Sequence, residues 1–191
     1  PGQLRLQAYS HIASGANMVA YWHWHSIHNS AETYWKGLLS HDLEPNPTYY
    51  EARQIAAEFK KYSKDLISLK KHNRVAIYFS NESLTALREF PFSYSMNYND
   101  LVHQLYDILY RANIECDFAD HTVTDLSKYK VIIVPPLYVA SDQELEKLNE
   151  FARNGGSLIL YFKSGFCDEN VQVRTERMPA VLRKACGFNY Q

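Results

Sequence analysis

The densest chemical run in this 191-residue sequence is WHWHSIHNSAETYW, residues 22 to 35. His23 and His25 stand two apart, which on a strand sets both rings on one face, and with His28 they offer imidazoles of the kind zinc accepts. No cysteine and no H-E-x-x-H helix accompanies them, so aromatic and hydrogen-bonding work in a polar pocket is the reading that better fits the residues. Glu32 and Trp35 follow a different logic. A carboxylate accepts paired hydrogen bonds from adjacent sugar hydroxyls, and an indole lies on the apolar face of a pyranose while its N–H stays free to donate. Three residues apart, the two can project into one pocket. An ordinary loop carboxylate beside an anchoring ring is the competing reading.

Several elements must position this run. From Leu4 to Ala16 apolar residues fall mostly at helical spacing and Gly15 supplies a stop, so a helix is expected. Asn17 to Trp24 is short and apolar on both alternations, the pattern of a parallel strand buried on both faces. Ser26 to Pro47 lacks periodicity and reads as a functional loop at that strand's carboxyl end. Asn46 before Pro47 then opens a long helix, with Tyr49, Ala52, Ala56, Phe59, Ser63, Leu66 and Leu69 at three- and four-residue steps. The lysines at 60, 61, 64, 70 and 71 read as its solvated, carboxyl-terminal face.

After His72 the pattern alternates. Strands are expected at 75–79, 114–118, 131–134 and 157–162, with helices from Tyr98 to Ala112 and from the Ser141/Glu144 capping box to Gly155-Gly156. This order predicts a three-layer α/β domain over residues 73 to 191. Ligands in such sheets bind beyond the strands' carboxyl ends, but the loops there carry neither GxGxxG nor GxxxxGK. Cys167 with His103 or His121 is a conceivable nucleophile dyad, and an inert thiol is the simpler reading. This domain is therefore read as structural.

Composition bounds the rest. Hydrophobic residues make up 46% and charged ones 21%, enough to fold, while 191 residues fall short of the roughly 250 of a complete catalytic barrel. Twenty Lys and Arg against 21 Asp and Glu give no field to gather nucleic acid or anionic lipid. No 18-residue apolar run and no signal-peptide pattern is present, which speaks against a membrane partner. The three cysteines form no CxxC pair and fit a reducing compartment, the cytoplasm. The Pro1-Gly2 start, without Met, suggests a piece of a longer protein.

The stretch from PGQLRLQAYSHIASGANMVAYWHWHS through IHNSAETYW to NPTYYEA resembles the last βα unit of the catalytic barrel in glycoside hydrolase family 42 β-galactosidases, with a Pro-Gly, an R-L-x-A-Y helix, a G-A-[DN] turn, an aromatic strand and a G/S-A-E loop in order. Residues 73 to 191 are similar to that family's next domain, a flavodoxin-like trimerisation domain related to glutamine amidotransferases but lacking their catalytic cysteine. The similarity rests on Asp125 to Lys130, the Pro-Pro-Leu-Tyr run, Gly155-Gly156 and Met178-Pro179.

The resemblance implies a fold class of a terminal βα unit of a (β/α)8 barrel at residues 1–72 followed by a flavodoxin-like three-layer α/β domain at 73–191. It implies a retaining, cofactor-free hydrolase of terminal β-D-galactosyl bonds that uses two glutamates, both from earlier barrel strands, so that this chain holds neither and is inactive alone. Glu32 matches the family's glutamate that hydrogen-bonds galactose hydroxyls. Trp35 falls where many members have His and becomes a stacking or single-donor contact. Trp22, His23 and Trp24 fall at the pocket floor. Galactoside and further copies of the chain, as a homotrimer, are the expected partners. The alternatives are a stand-alone oligomerisation or interaction domain and a cysteine hydrolase using Cys167.

Overall fold

The computed structural model describes residues 2 to 190, so Pro1 of the Pro-Gly pair lies outside the described residues. The chain divides into two compact units, up to His72 and from Asn73 onward.

In the first unit, Gly2 sits at φ 91°, in the left-handed region, and leads into α1 (Gln3–Ala13). A second helix, α2 (Pro47–Lys61), starts where Asn46 Oδ1 accepts the Tyr49 N–H at 3.1 Å. It stops sooner than its periodicity suggests, since Tyr62 breaks the run before the one-turn helix α3 (Ser63–Leu66). The two long helices pack through Ala8, Ala52 and Ile55. They are clamped by Glu58, which accepts from Arg5 Nε at 2.8 Å, Tyr9 Oη at 2.7 Å and Gln54 Nε2 at 2.9 Å. Those donors, Arg5 foremost, hold the Glu58 carboxyl down to about 2.

The segment 17–24, expected as a strand, belongs to no ladder and bends at Asn17, Trp22 and Trp24. A strand needs hydrogen-bonding neighbours along its length, and among the described residues this segment meets one only at its end, where Leu38 and Leu39 donate to the carbonyls of His23 and Trp24. Its indoles are correspondingly uncovered, with Trp22 84% exposed.

The second unit is a four-stranded, fully parallel sheet in the order β2-β1-β3-β4, from β1 (Val75–Tyr78), β2 (Cys116–Ala119), β3 (Val131–Val134) and β4 (Ser157–Leu160). Ile77 pairs with Phe118 on one side and Ile133 on the other. Strand periodicity divides the core between two faces. Ile77 and Ile133 pack with Leu87 of α4 (Asn81–Glu89) and with Val102, Leu105 and Leu109 of α5 (Tyr98–Arg111). Ala76, Tyr78, Ile132 and Val134 pack with Leu145, Leu148 and Phe151 of α6 (Asp142–Arg153). A 3-10 turn over Ala180–Leu182 and a last helix α7 (Arg183–Cys186) lie along α6. Each buried leucine contributes about 1.5–3 kcal/mol.

The helix α4 is an addition to the sequence reading, which expects no helix between the strand at 75–79 and Tyr98. Ser80 Oγ accepts the Ser83 N–H at 3.0 Å and caps its first turn. At α6 the Ser141 cap is made, its Oγ accepting from Glu144 N at 3.2 Å, and the Glu144 carboxylate accepts from Tyr78 Oη at 2.9 Å.

Asp117 on β2 fastens the outer edge of this sheet. Burial pushes its carboxyl up, but donations from Lys128, Asn73 and Tyr129 outweigh that and hold it below the ordinary value. A depressed folded pKa contributes stability that is present above the unfolded pKa and lost as pH falls through the folded one. Asp117→Asn is expected to lower stability at pH 7 by about 1–3 kcal/mol and to flatten the acid side of the stability curve, measured by urea unfolding between pH 3 and pH 7. An unchanged acid limb would show that the carboxylate is not the fastening.

Candidate functional site

The candidate site is the loop that follows residues 17–24. The Trp22–His23 peptide is cis. Beyond it the chain runs out and folds back. Leu38 and Leu39 donate to the carbonyls of His23 and Trp24 at 2.8 and 3.0 Å, and Ser26 N donates to Leu39 O at 3.0 Å. Ser26 is completely buried at the crossing, its Oγ donating to Leu39 O at 2.9 Å while accepting from Gly37 N at 3.2 Å. Gly37 is required there for space, because an added Cβ would collide with the His25 backbone.

At the tip Ser30 takes a left-handed φ of 69°, a conformation that suits the glycine in the G/S-A-E pattern as well as serine. Residues 31–34 form the turn, closed by Trp35 N donating to Glu32 O at 2.9 Å and by Ile27 N donating to Trp35 O at 3.2 Å. Glu32 and Trp35 are thus joined through the backbone of one turn.

The histidines form the loop's internal frame. His41 Nε2 is 2.7 Å from Thr33 O and His28 Nε2 is 2.6 Å from His41 O, each placed to donate. The His25, His28 and His41 rings follow at centroid spacings of 5.8 and 5.6 Å. Among the described residues no three His, Cys, Asp or Glu side chains group as metal ligands. The His25, His28 and His41 imidazoles are engaged with carbonyls and one another's rings.

Of the five site residues singled out from the sequence, Glu32 and Trp35 share the exposed turn. Trp35 is 63% exposed, and the Glu32 carboxylate makes no side-chain hydrogen bond or ion pair among the described residues. Trp22 lies against His23, ring centroids 4.3 Å apart. Trp24 diverges from the other four. It meets Tyr49 edge-on at 6.1 Å and lines an apolar cleft of about 380 Å³ along α2, with Tyr21, Leu38, Ile55 and Phe59. Sequence reasoning passes over Ser26, Gly37 and His41. A small residue ahead of Leu38-Leu39 and a histidine six residues after Trp35 are the only signals, and neither is specific.

In the second unit the strand ends carry no comparable group. Cys167 is fully buried against Ala86 and Val139, with its backbone in hydrogen bonds to Tyr138 and Ala140, which removes it as a nucleophile. Burial raises the Glu144 carboxyl and Tyr78 donates to it, a structural pair at the head of α6.

Residues 1–62 match the family model described as β-galactosidase of glycoside hydrolase family 42, and residues 73–191 match that of the β-galactosidase trimerisation domain. β-Galactosidase BgaB of Geobacillus sp. strain Y412MC61 is 37% identical over 98% of this chain, and BgaP of Planococcus sp. strain L4 is 34% identical over the same share. The chain spans 28% of the length of these curated relatives. Among solved structures, the β-galactosidase from Bacillus circulans sp. alkalophilus superposes with a TM-score of 0.89 at 29% identity. A catalytic mutant of Gan42B, a GH42 β-galactosidase from G. stearothermophilus, does so with 0.88 at 26%. Each superposition covers 96% of this chain and 27% of the other.

Gly37→Ala is expected to break the fold-back. Hydrogen exchange at the amides of Ile27, Trp35, Leu38 and Leu39 should speed up at least tenfold while those of β1 and β3 stay protected. Unchanged protection in the loop would mean that Ser26 alone suffices.

Proposed function

The chain belongs to the β-galactosidases of glycoside hydrolase family 42, and from that premise we propose that it forms part of a retaining enzyme that releases terminal β-D-galactosyl groups from oligosaccharides. In this reading residues 1–72 are the end of the catalytic barrel and contribute one wall of the galactose pocket. Residues 73–191 are the oligomerisation module, which brings the enzyme together as a homotrimer. The two catalytic glutamates come from other strands of the barrel, so the chain by itself does not turn over substrate.

One observation carries the pocket assignment. Glu32 is a carboxylate without a protein partner, on a turn closed by its own backbone and three residues from an exposed indole. Such a carboxylate accepts from two neighbouring hydroxyls of one sugar without giving up an existing bond, and Trp35 supplies the flat face or the single N–H that a pyranose meets. Trp22 and His23, adjacent to one another where the loop begins, form the floor, with Trp24 behind them. The first unit also buries little of its own. Ala8, Ser26, Ala52 and Ile55 are its only buried described residues, as expected of a barrel segment whose indoles are covered by other strands.

The three cysteines, none in a disulfide among the described residues, suit a reducing compartment, and we place the enzyme in the cytoplasm on that ground. Among the described residues no helix is long and apolar enough to cross a membrane.

The test uses a chromogenic β-galactoside. The chain alone should show no turnover, and Glu32→Ala in the enzyme that contains it should lower kcat/KM by roughly 10- to 100-fold, the scale of one lost charged hydrogen bond. Turnover by the chain alone that disappears in Glu32→Ala would overturn the division of labour. Sedimentation equilibrium tests the module, and a monomer at all concentrations would count against it.

A further inference from the structure

The wall of the second unit formed by α6 and residues 176–184 contains a cleft that the galactosidase reading leaves unused. It encloses about 450 Å³, within the range of small-molecule sites. Four cations line it, Arg153, Arg177, Arg183 and Lys184, against two carboxylates, in a chain whose overall charge is −1. Arg153 is partly occupied, with Nη1 3.5 Å from Glu146 Oε1. The other three make no ion pair or side-chain hydrogen bond among the described residues. Like charges gathered round one concavity repel each other unless a counter-ion sits between them, and guanidinium forks match the oxygens of a phosphoryl group.

The floor gives a second, independent pointer. Asn149 is 1% exposed and its Nδ2 donates to both oxygens of Glu146, at 3.1 and 3.2 Å. That carboxylate fixes the amide's orientation, since the reverse flip would set oxygen against oxygen. Asn149 Oδ1 is consequently a buried acceptor without a donor. Buried acceptors left bare are uncommon and costly, and this one belongs to a residue in the lining of the cationic cleft.

From these two features we infer that the cleft binds a hydroxylated phosphate monoester, of which a hexose phosphate is the simplest carrier. The phosphoryl oxygens take Arg177, Arg183 and Lys184, and a hydroxyl of the same molecule donates to Asn149 Oδ1. The acceptor is shielded from water, so this contact requires the lining to move as the ligand binds. The binding is non-covalent, and the site lies wholly within residues 146–184, independent of Glu32 and of the hydrolytic reaction.

Titration of the whole ¹⁵N-labelled chain decides this, with galactose 6-phosphate, inorganic phosphate, galactose and sodium chloride at matched ionic strength as separate arms. Galactose 6-phosphate should give saturable shifts at the Asn149 side-chain amide and the Arg177 and Arg183 Nε–H, binding about tenfold more tightly than inorganic phosphate. Galactose and chloride should give none. The double substitution Arg177→Gln, Arg183→Gln, both on exposed side chains, should weaken the sugar phosphate at least tenfold. Asn149→Leu should retain phosphate binding and equalise the two phosphates. Shifts that track ionic strength alone, equal affinity for the two phosphates in the unsubstituted chain, or undiminished affinity in the double variant would each overturn the inference.

Discussion

A parallel strand needs a hydrogen-bonding neighbour along each edge and apolar cover on each face, and the two units meet this demand very differently. In the second unit β1 and β3 lie side by side at the centre, and the alternation of their side chains hands Ile77 and Ile133 to α4 and α5 and Tyr78, Ile132 and Val134 to α6. The demand is met within residues 73–191, and the helices are fixed as a consequence. In the first unit the segment 17–24 has the composition of such a strand, yet it has no ladder and its indoles face outward. That contrast is the physical content of the relation to family 42. One unit is organised by its own sheet, and the other carries a strand-like segment without one.

The loop escapes this dependence because its shape is set internally. The fold-back rests on the buried Ser26 hydroxyl, on the space at Gly37 and on two imidazoles that reach backbone carbonyls. None of these bonds requires a neighbouring strand. The turn that holds Glu32 and Trp35 is therefore shaped by bonds within the loop and to Asn46 at the start of α2, which the proposed binding wall needs if its geometry is not to vary with the ligand.

How much of this was legible in the residues follows from the range of the interactions. The helices α5 and α6 were, because apolar stripes such as Leu101-Leu105-Leu109 and Leu145-Leu148 are written at helical spacing, and so was the alternation that makes the sheet parallel. The helix α4 was not, since its buried stripe is Ser83, Ala86 and Leu87, too polar and too short to stand out, and its start depends on one serine hydroxyl. Overrun of the helix past Tyr62 and the unpaired strand at 17–24 share a cause. Periodicity records which faces are apolar and is blind to whether a partner is present. At the site, Glu32 and Trp35 could be chosen by side-chain type. Ser26, Gly37 and His41 could not, because each acts on backbone 8 to 13 residues away and their types carry no signal of that.

Three glutamates show why availability, more than identity, marks a binding group. Glu58 accepts from Arg5, Tyr9 and Gln54, and those donors pull its pKa down because each favours the charged form. Glu144 is drawn the other way by burial, opposed by the Tyr78 hydroxyl. Both are committed, one to joining α1 with α2 and the other to seating α6 against β1, and neither can take a ligand without loosening the fold. Glu32 has no such commitment among the described residues, and an exposed carboxylate of that kind is common on any surface. What separates it from the rest is its setting. Its backbone is closed onto Trp35 at 2.9 Å, and the turn is held at Thr33 by His41, so the carboxylate and the indole keep a fixed register while their polar atoms stay in water. Exchanging that water for the hydroxyls of a sugar costs little reorganisation, and this is the physical reason behind the proposal that this turn contacts galactose.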